Sequence, residues 1–206
     1  MGNNIAIAEK FTSADLVSMP DDGKLYEIID GELYVSRQPD YEHQYACARL
    51  EQSLNNWSDE TNAGAAVQAP GLIFGEHDDV APDVVWMSFE RLASGLDEAG
   101  HLIVAPELVI EVLSPGKANE DRDRKTKLNL YSRRGVDEYW VVSWLKRFVE
   151  VYRREAGVLK FVATLHNGDT LESPLLPGFS CEVSKLFLLE SPFKKPGIPY
   201  PIRVQS

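Results

Sequence analysis

Cysteine is scarce in this chain. Cys47 and Cys181 are the only two in 206 residues. They stand far apart and show no metal-ligand spacing, which excludes a disulfide-stapled scaffold and leaves both reading as buried or free thiols of a reducing cytosol. Long apolar runs are missing too. Nothing approaches the roughly 18 residues of a membrane span, and Met1 to Lys10 lacks the basic and apolar regions of a signal peptide. The expected location is therefore cytoplasmic, with no membrane partner. Positive charge is in deficit: 21 Lys and Arg face 32 Asp and Glu, a formal net charge of −11. That is the wrong sign for a broad basic surface on nucleic acid, so any phosphate-binding role needs a local basic strip or bound cations. No Gly-x-Ser-x-Gly and no Gly-rich phosphate loop occurs, and neither cysteine is expected to have a histidine close in sequence, so nucleophilic catalysis is not expected. His77, His101 and His166 fall in loops or at strand starts without zinc-like spacing.

What is present is ordinary for a globular protein: 44% hydrophobic and 26% charged residues. The length predicts one domain over 1–206, with a loose N-terminal end through residue 11 and a Pro-rich tail from Pro192 to Ser206. Thr12 or Ser13 caps a short helix to about Met19. Asp30-Gly31 turns a hairpin between Leu25–Asp30 and Glu32–Ser36. Tyr41 to Trp57 has helical spacing behind Asp40 as N-cap. Ala65 to Phe74 reads as a strand pair or a kinked strand, and residues 75–79 as an acidic loop. Strands follow at Pro82–Met87, Glu107–Leu113 and Glu138–Val142, then an antiparallel pair at Phe148–Arg153 and Val158–Leu165. Between the second and third of these lies a charged helix, Asn119 to Arg134, capped by Asn119 and ended by Gly135.

Three charged groups sit where apolar ones are expected. Alternation puts Asp83 on one strand face with Val85 and Met87. Glu111 lies in Leu-Val-Ile-Glu-Val-Leu. A carboxylate in such company needs a cation or a partner. On a helical wheel of about 100° per residue with Leu128 at 0°, Leu130 falls at roughly 200°, Tyr131 at roughly 300° and Lys127 at roughly 260°. Lys127 therefore points into the apolar arc, whereas Lys125, at roughly 60°, is solvated. Each has a plainer reading: a strand-end acid for Asp83, an edge salt bridge for Glu111, a snorkelling stem for Lys127. Two carboxylates on neighbouring strands suit Mg²⁺, with Mn²⁺ as an alternative ion, and a nearby lysine can orient water or stabilise developing charge. Glu27, Glu32 and His43 are weaker candidates, a glutamate for a further oxygen ligand and His43 for catalysis.

Taken together, the blocks Tyr-Glu-Ile-Ile-Asp-Gly-Glu-Leu (26–33), Glu-His-Gln (42–44), Ala-Pro-Asp-Val-Val (81–85), Pro-Glu-Leu-Val-Ile-Glu-Val-Leu-Ser-Pro (106–115), Asp-Arg-Lys-Thr-Lys-Leu-Asn-Leu-Tyr (123–131) and Gly-Val-Asp-Glu-Tyr-Trp-Val-Val (135–142) resemble the PD-(D/E)XK nuclease superfamily. Within it they resemble the Uma-two family of restriction endonucleases. The resemblance covers roughly residues 26–152. It implies an α/β, restriction-endonuclease-like fold, a central mixed sheet flanked by helices. It implies Asp83 and Glu111 as metal ligands. Leu113 stands where the superfamily motif has its lysine, and Lys127 matches a lysine moved to the following helix. The expected function is a Mg²⁺-dependent endonuclease hydrolysing DNA phosphodiester bonds, with Asp83, Glu111 and Lys127 as its centre and Glu32 and His43 as further catalytic candidates. A catalytically inactive nuclease fold acting as a DNA-binding or interaction module is the alternative. A duplex cut needs two sites, which admits a homodimer.

Overall fold

The computed structural model describes residues 9–188; the expected Pro-rich tail and most of the loose N-terminal end lie outside them. A short helix α1 (Ser13–Leu16) precedes the hairpin β1 (Leu25–Ile29) and β2 (Glu32–Ser36). Asp30 (φ 55°) and Gly31 (φ 79°) turn it, the positive-φ pair a two-residue hairpin loop requires. Helix α2 (Tyr41–Thr61) runs one turn past the expected end and buries His43, Ala46, Cys47, Leu50, Leu54 and Ser58, a stripe at three- and four-residue spacing. Asp40 is its N-cap by position, without a side-chain bond to the helix.

Strands β3 (Gly64–Gln68), β4 (Leu72–Gly75), β5 (Asp78–Val80) and β6 (Val84–Ser88) follow, then α3 (Phe89–Leu92) and β7 (Leu108–Val112). The charged helix starts earlier than expected. It begins at α4 (Lys117–Asp121) after Gly116, so Asn119 is inside it and donates to the Pro115 carbonyl instead of capping. It continues as a π-helical segment (Arg122–Lys127) into α5 (Leu128–Arg134) and ends on Gly135 at φ 98°. Strands β8 (Glu138–Ser143), β9 (Phe148–Glu155) and β10 (Val158–His166) and the small hairpin β11 (Thr170–Glu172) with β12 (Ser180–Glu182) complete the described chain.

The main sheet has the order β10-β9-β8-β7-β6-β3. Among the described residues of this sheet only β7 and β8 pair in parallel, so the sheet is mixed, as expected. A parallel pair needs a crossover. Here α4, the π segment and α5 provide it, and that lays their buried face against the sheet beside β7. Residues 65–74 are neither a pair nor one kinked strand: β3 edges the main sheet while β4 belongs to a second sheet, β2-β1-β5-β4. Every residue of β7 and β8 is buried. Strand alternation then divides the core in two. Val84, Leu108, Ile110, Val112 and Trp140 meet α2 through Ala46, Leu50 and Leu54. Val85, Val109, Leu113 and Tyr139 meet Ile29, Leu72, Leu130 and Tyr131. Leu113 is thus a core residue.

The expected acidic loop at 75–79 shrinks to a turn at Glu76 and His77, between Gly75 at the end of β4 and Asp78 and Asp79 in β5. Asp78 is 2% exposed, takes the Asp30 N–H at 2.8 Å and Arg133 at 2.9 Å, and pairs with Arg134. These bonds fasten the second sheet to the end of α5. Burial works against the Asp78 carboxylate, but the Asp30 N–H, Arg134 and Arg133 outweigh it and lower its pKa. A lowered carboxyl pKa gives stability that is complete above about pH 4 and lost as pH falls through the folded value. Asp78→Ala is expected to lose about 2–3 kcal/mol in urea unfolding at pH 7. The gap to the parent should narrow below about pH 4. A gap of equal size at pH 7 and pH 3 would contradict this assignment.

Candidate active site

Strands β6 and β7 pair with Val84 opposite Ile110. One step further along that register sets Asp83, just before β6, opposite Glu111, near the end of β7 next to the crossover. Glu111 lies on the face of Val109 and Leu113, toward the crossover helix. There its Oε1 accepts from Lys127 Nζ at 2.9 Å and Tyr131 OH at 2.7 Å. Lys127 Nζ is also 2.9 Å from Oε1 of Glu27 on β1. All three are almost fully buried, at 1% exposure for Glu27, 3% for Glu111 and 2% for Lys127. Asp83 is the accessible member, its side chain 25% exposed. It stands just before β6, so its Oδ2 takes the Val112 N–H at 2.7 Å and faces His43 Nε2 at 3.3 Å from the opposite layer.

The balance of charge is negative. Burial, together with the charges of Asp83, Asp123 and Glu27, pushes Glu111 up to about 8 against the pull of Lys127. Burial opposes the charge on Lys127, yet Glu111, Glu27 and Asp123 more than offset it and hold its pKa above the ordinary range. Burial also opposes ionisation of Asp83, but hydrogen bonding and charge from His43, with Lys127 and the Val112 N–H, lower its pKa. Burial disfavours the His43 cation, and Asp83 reverses that and raises its pKa.

A divalent cation fits this donor set. Asp83 and Glu111 offer hard carboxylate oxygens. The bonds at Glu111 and Asp83 fall on Oε1 and Oδ2, which leaves Oε2 and Oδ1 without hydrogen bonds among the described residues. Glu27 Oε2 is buried with no hydrogen-bond partner among them, an arrangement that is unfavourable for a carboxylate oxygen unless a cation or water meets it.

The structure brings Asp83, Glu111, Lys127 and His43 into one cluster. Glu32 is not among them. It stands at the hairpin turn, exposed, and accepts from Tyr34 OH at 2.9 Å. The glutamate that enters is Glu27, whose strand position already shared a face with the core residue Ile29. Asp123 was missed. It is buried on the π segment, with Arg122 Nε 3.3 Å away. The same wheel sets it at roughly 220°, inside the apolar arc, so the helical period held the signal that finds it. Tyr131, which the wheel sets in the apolar arc, also donates its OH to Glu111. Lys125 is 70% exposed and pairs with Asp121. The reading that set the cysteines apart from histidine is corrected: His43 precedes Cys47 by four residues, one helical turn, and Cys47 Sγ lies 3.6 Å from its Nδ1.

Comparisons with known proteins agree with this architecture. A crystal structure of a protein titled "putative nuclease belonging to DUF820", from Anabaena variabilis, superposes with a TM-score of 0.68 at 17% identity, covering 86% of this chain and 97% of that one. At that identity the likeness concerns the fold. The type IIG restriction endonuclease BpuSI aligns with 70% of this chain and 14% of its own at 16% identity, with a TM-score of 0.37, too distant to carry an argument. A search of curated proteins gave no match. The family model Uma2, described as "Putative restriction endonuclease", matches residues 13–184. With that match spanning most of its length, the chain belongs to the Uma2 family and has a restriction-endonuclease-like fold.

Proposed function

We propose that the protein is a Mg²⁺-dependent endonuclease that hydrolyses DNA phosphodiester bonds, with Mn²⁺ as an alternative ion. The observation that carries this reading is the buried Glu111–Lys127–Glu27 cluster beside the accessible carboxylate of Asp83. Family membership supports the nuclease class. Asp83 and Glu111 would hold the ion, with the unpartnered oxygen of Glu27 nearby. When bound, such an ion activates water and offsets the charge of the phosphodiester.

The side chains have separable tasks. Lys127 keeps its proton and so does not act as a base. An ammonium has three N–H donors. Two are committed to Glu111 and Glu27, and the third is left to orient water or to stabilise charge on the phosphoryl oxygens. Tyr131 holds Glu111 in place. His43 is a positioning residue whose Nε2 faces Asp83 Oδ2 at 3.3 Å. Two such sites are needed to cut a duplex, which a homodimer would provide.

Supercoiled plasmid, Mg²⁺ and the purified full chain test this directly. Nicking is expected from the parent and at least 100-fold less from Asp83→Asn, the scale expected when one group acting on the transition state is lost. Equal nicking by both would sink the assignment. The net charge of −11 favours one rival, a nuclease fold kept for binding or interaction. Measurable DNA binding with no cleavage under Mg²⁺ or Mn²⁺ would select it.

A further inference from the structure

Asp83 faces two different chemical environments. On one side are the carboxylates and Lys127. On the other is the buried stripe of α2, where His43 and Cys47 sit one turn apart and side chains four residues apart meet. A ring nitrogen of His43, the Sγ of Cys47 and a carboxylate oxygen of Asp83 all lie within 4.8 Å of one another. Around a tetrahedral Zn²⁺, bonds of about 2.0–2.3 Å keep ligand atoms about 3.3–3.7 Å apart. Asp83 Oδ2 and His43 Nε2 are already at 3.3 Å. Cys47 Sγ lies 3.6 Å from the other ring nitrogen, Nδ1, and the three donors fall within 4.8 Å, so closing them on one ring nitrogen takes side-chain adjustments of about an ångström. One nitrogen, one sulfur and one oxygen make a borderline-soft set, unlike the all-carboxylate set on the other side, and three protein ligands leave one position open. The partly exposed Asp83 gives access from solvent.

Plainer accounts explain these residues singly. Cys47 fills core volume as a small hydrophobe, and His43 is satisfied by Asp83. Neither account requires three ligand atoms at near-ligand separation.

We propose that His43, Cys47 and Asp83 form a second site, for Zn²⁺ or a similar borderline-soft divalent ion, that competes with the catalytic ion for Asp83 and turns the nuclease off. The site itself stands on its own geometry; the inhibition rests on Asp83 being a ligand of the catalytic ion. Binding releases the thiol proton to solvent, and the proton on His43 Nε2 shifts to Nδ1, so that the Nε2 lone pair meets the ion. Thiolate, carboxylate and divalent ion then sum to zero charge, which suits a buried place.

Co²⁺ titration of the reduced full chain tests the site without relying on activity. A near-ultraviolet thiolate-to-cobalt absorption is expected in the parent and in Cys181→Ala, with loss in Cys47→Ala and Cys47→Ser, the fold of each variant being checked by circular dichroism. One equivalent of Zn²⁺ should bleach the band and millimolar Mg²⁺ should not. No band in the parent, or an equal band without Cys47, overturns the site. For the inhibition, Zn²⁺ should suppress Mg²⁺-dependent nicking at least tenfold less effectively in Cys47→Ala than in the parent. Equal suppression overturns the competition. A parent that does not nick DNA at all but shows the cobalt band refutes the nuclease reading and leaves the site standing.

Discussion

Lys127→Met is expected to lower the stability of the folded protein by about 3–5 kcal/mol at pH 7, the range for breaking a buried ion pair from one side. The same change should reduce plasmid nicking about a thousandfold, as loss of a charged group acting on the transition state does. Methionine keeps most of the lysine stem, so packing against the core is retained and the charge alone is removed. What remains is Glu27, Glu111 and Asp123, all buried and deprived of the cation they share. Burial without that cation raises the pKa values of Glu111 and Asp123 further. A raised carboxyl pKa favours the folded state at low pH, so the loss should be smaller at pH 5 than at pH 7. Urea unfolding at both values measures it. An unchanged midpoint at pH 7 would show that Lys127 is not the shared counter-ion, and parental nicking would remove it from the mechanism.

Glu111→Gln should have a similar effect on activity and a very different one on the fold. The amide keeps an oxygen that accepts from Lys127 and Tyr131 while removing the negative charge. Since burial already pushes Glu111 up to about 8, a neutral group in that place is expected to hold stability within about 1 kcal/mol of the parent at pH 7. Nicking should still fall about a thousandfold, because an amide is a poor ligand for a hard divalent ion. Millimolar Mn²⁺ should raise the melting temperature of the parent and leave Glu111→Gln unchanged, since an ion that binds only the folded state stabilises it by mass action. An equal Mn²⁺ shift in both proteins would separate Glu111 from the metal. The two variants thus dissociate stability from catalysis: both should be inactive, and only the lysine variant fragile.

Much of this site was legible because charge stands out against apolar runs. Glu111 within five aliphatic neighbours signals a constrained acid whatever the fold, and the helical wheel separated Lys127 from Lys125. The local winding strengthens what the wheel shows for Asp123. Residues 122–127 wind as a π-helix, with i→i+5 bonds and more residues per turn. Residues four apart, such as Asp123 and Lys127, then share a face more closely than in an α-helix. Asp123 is thereby a buried neighbour of the cluster. The choice between Glu27 and Glu32 could not be made from alternation, because register sets Glu27 opposite Tyr34 and Ile29 opposite Glu32, all on one face. What separates them is position along the hairpin. Glu27 lies under Ala81 and Lys127, and Glu32 lies at the turn.

By itself, the sequence determined what alternation, turn chemistry and apolar context can express: a mixed α/β fold, the hairpin at Asp30-Gly31, the buried strands around Val84 and Glu111, and an inward lysine on the crossover helix. These are local signals, set within one or two turns of chain. The tertiary structure alone decided which charges share a counter-ion. The parallel pairing of β7 with β8 requires a crossover, and that crossover carries Lys127 onto Glu111 from 16 residues away. The second sheet then brings Glu27 to the same ammonium. Packing of α2 against the opposite face sets His43 and Cys47 beside Asp83. Electrostatic energy depends on separation in space, and between distant segments that separation exists only once the layers have packed.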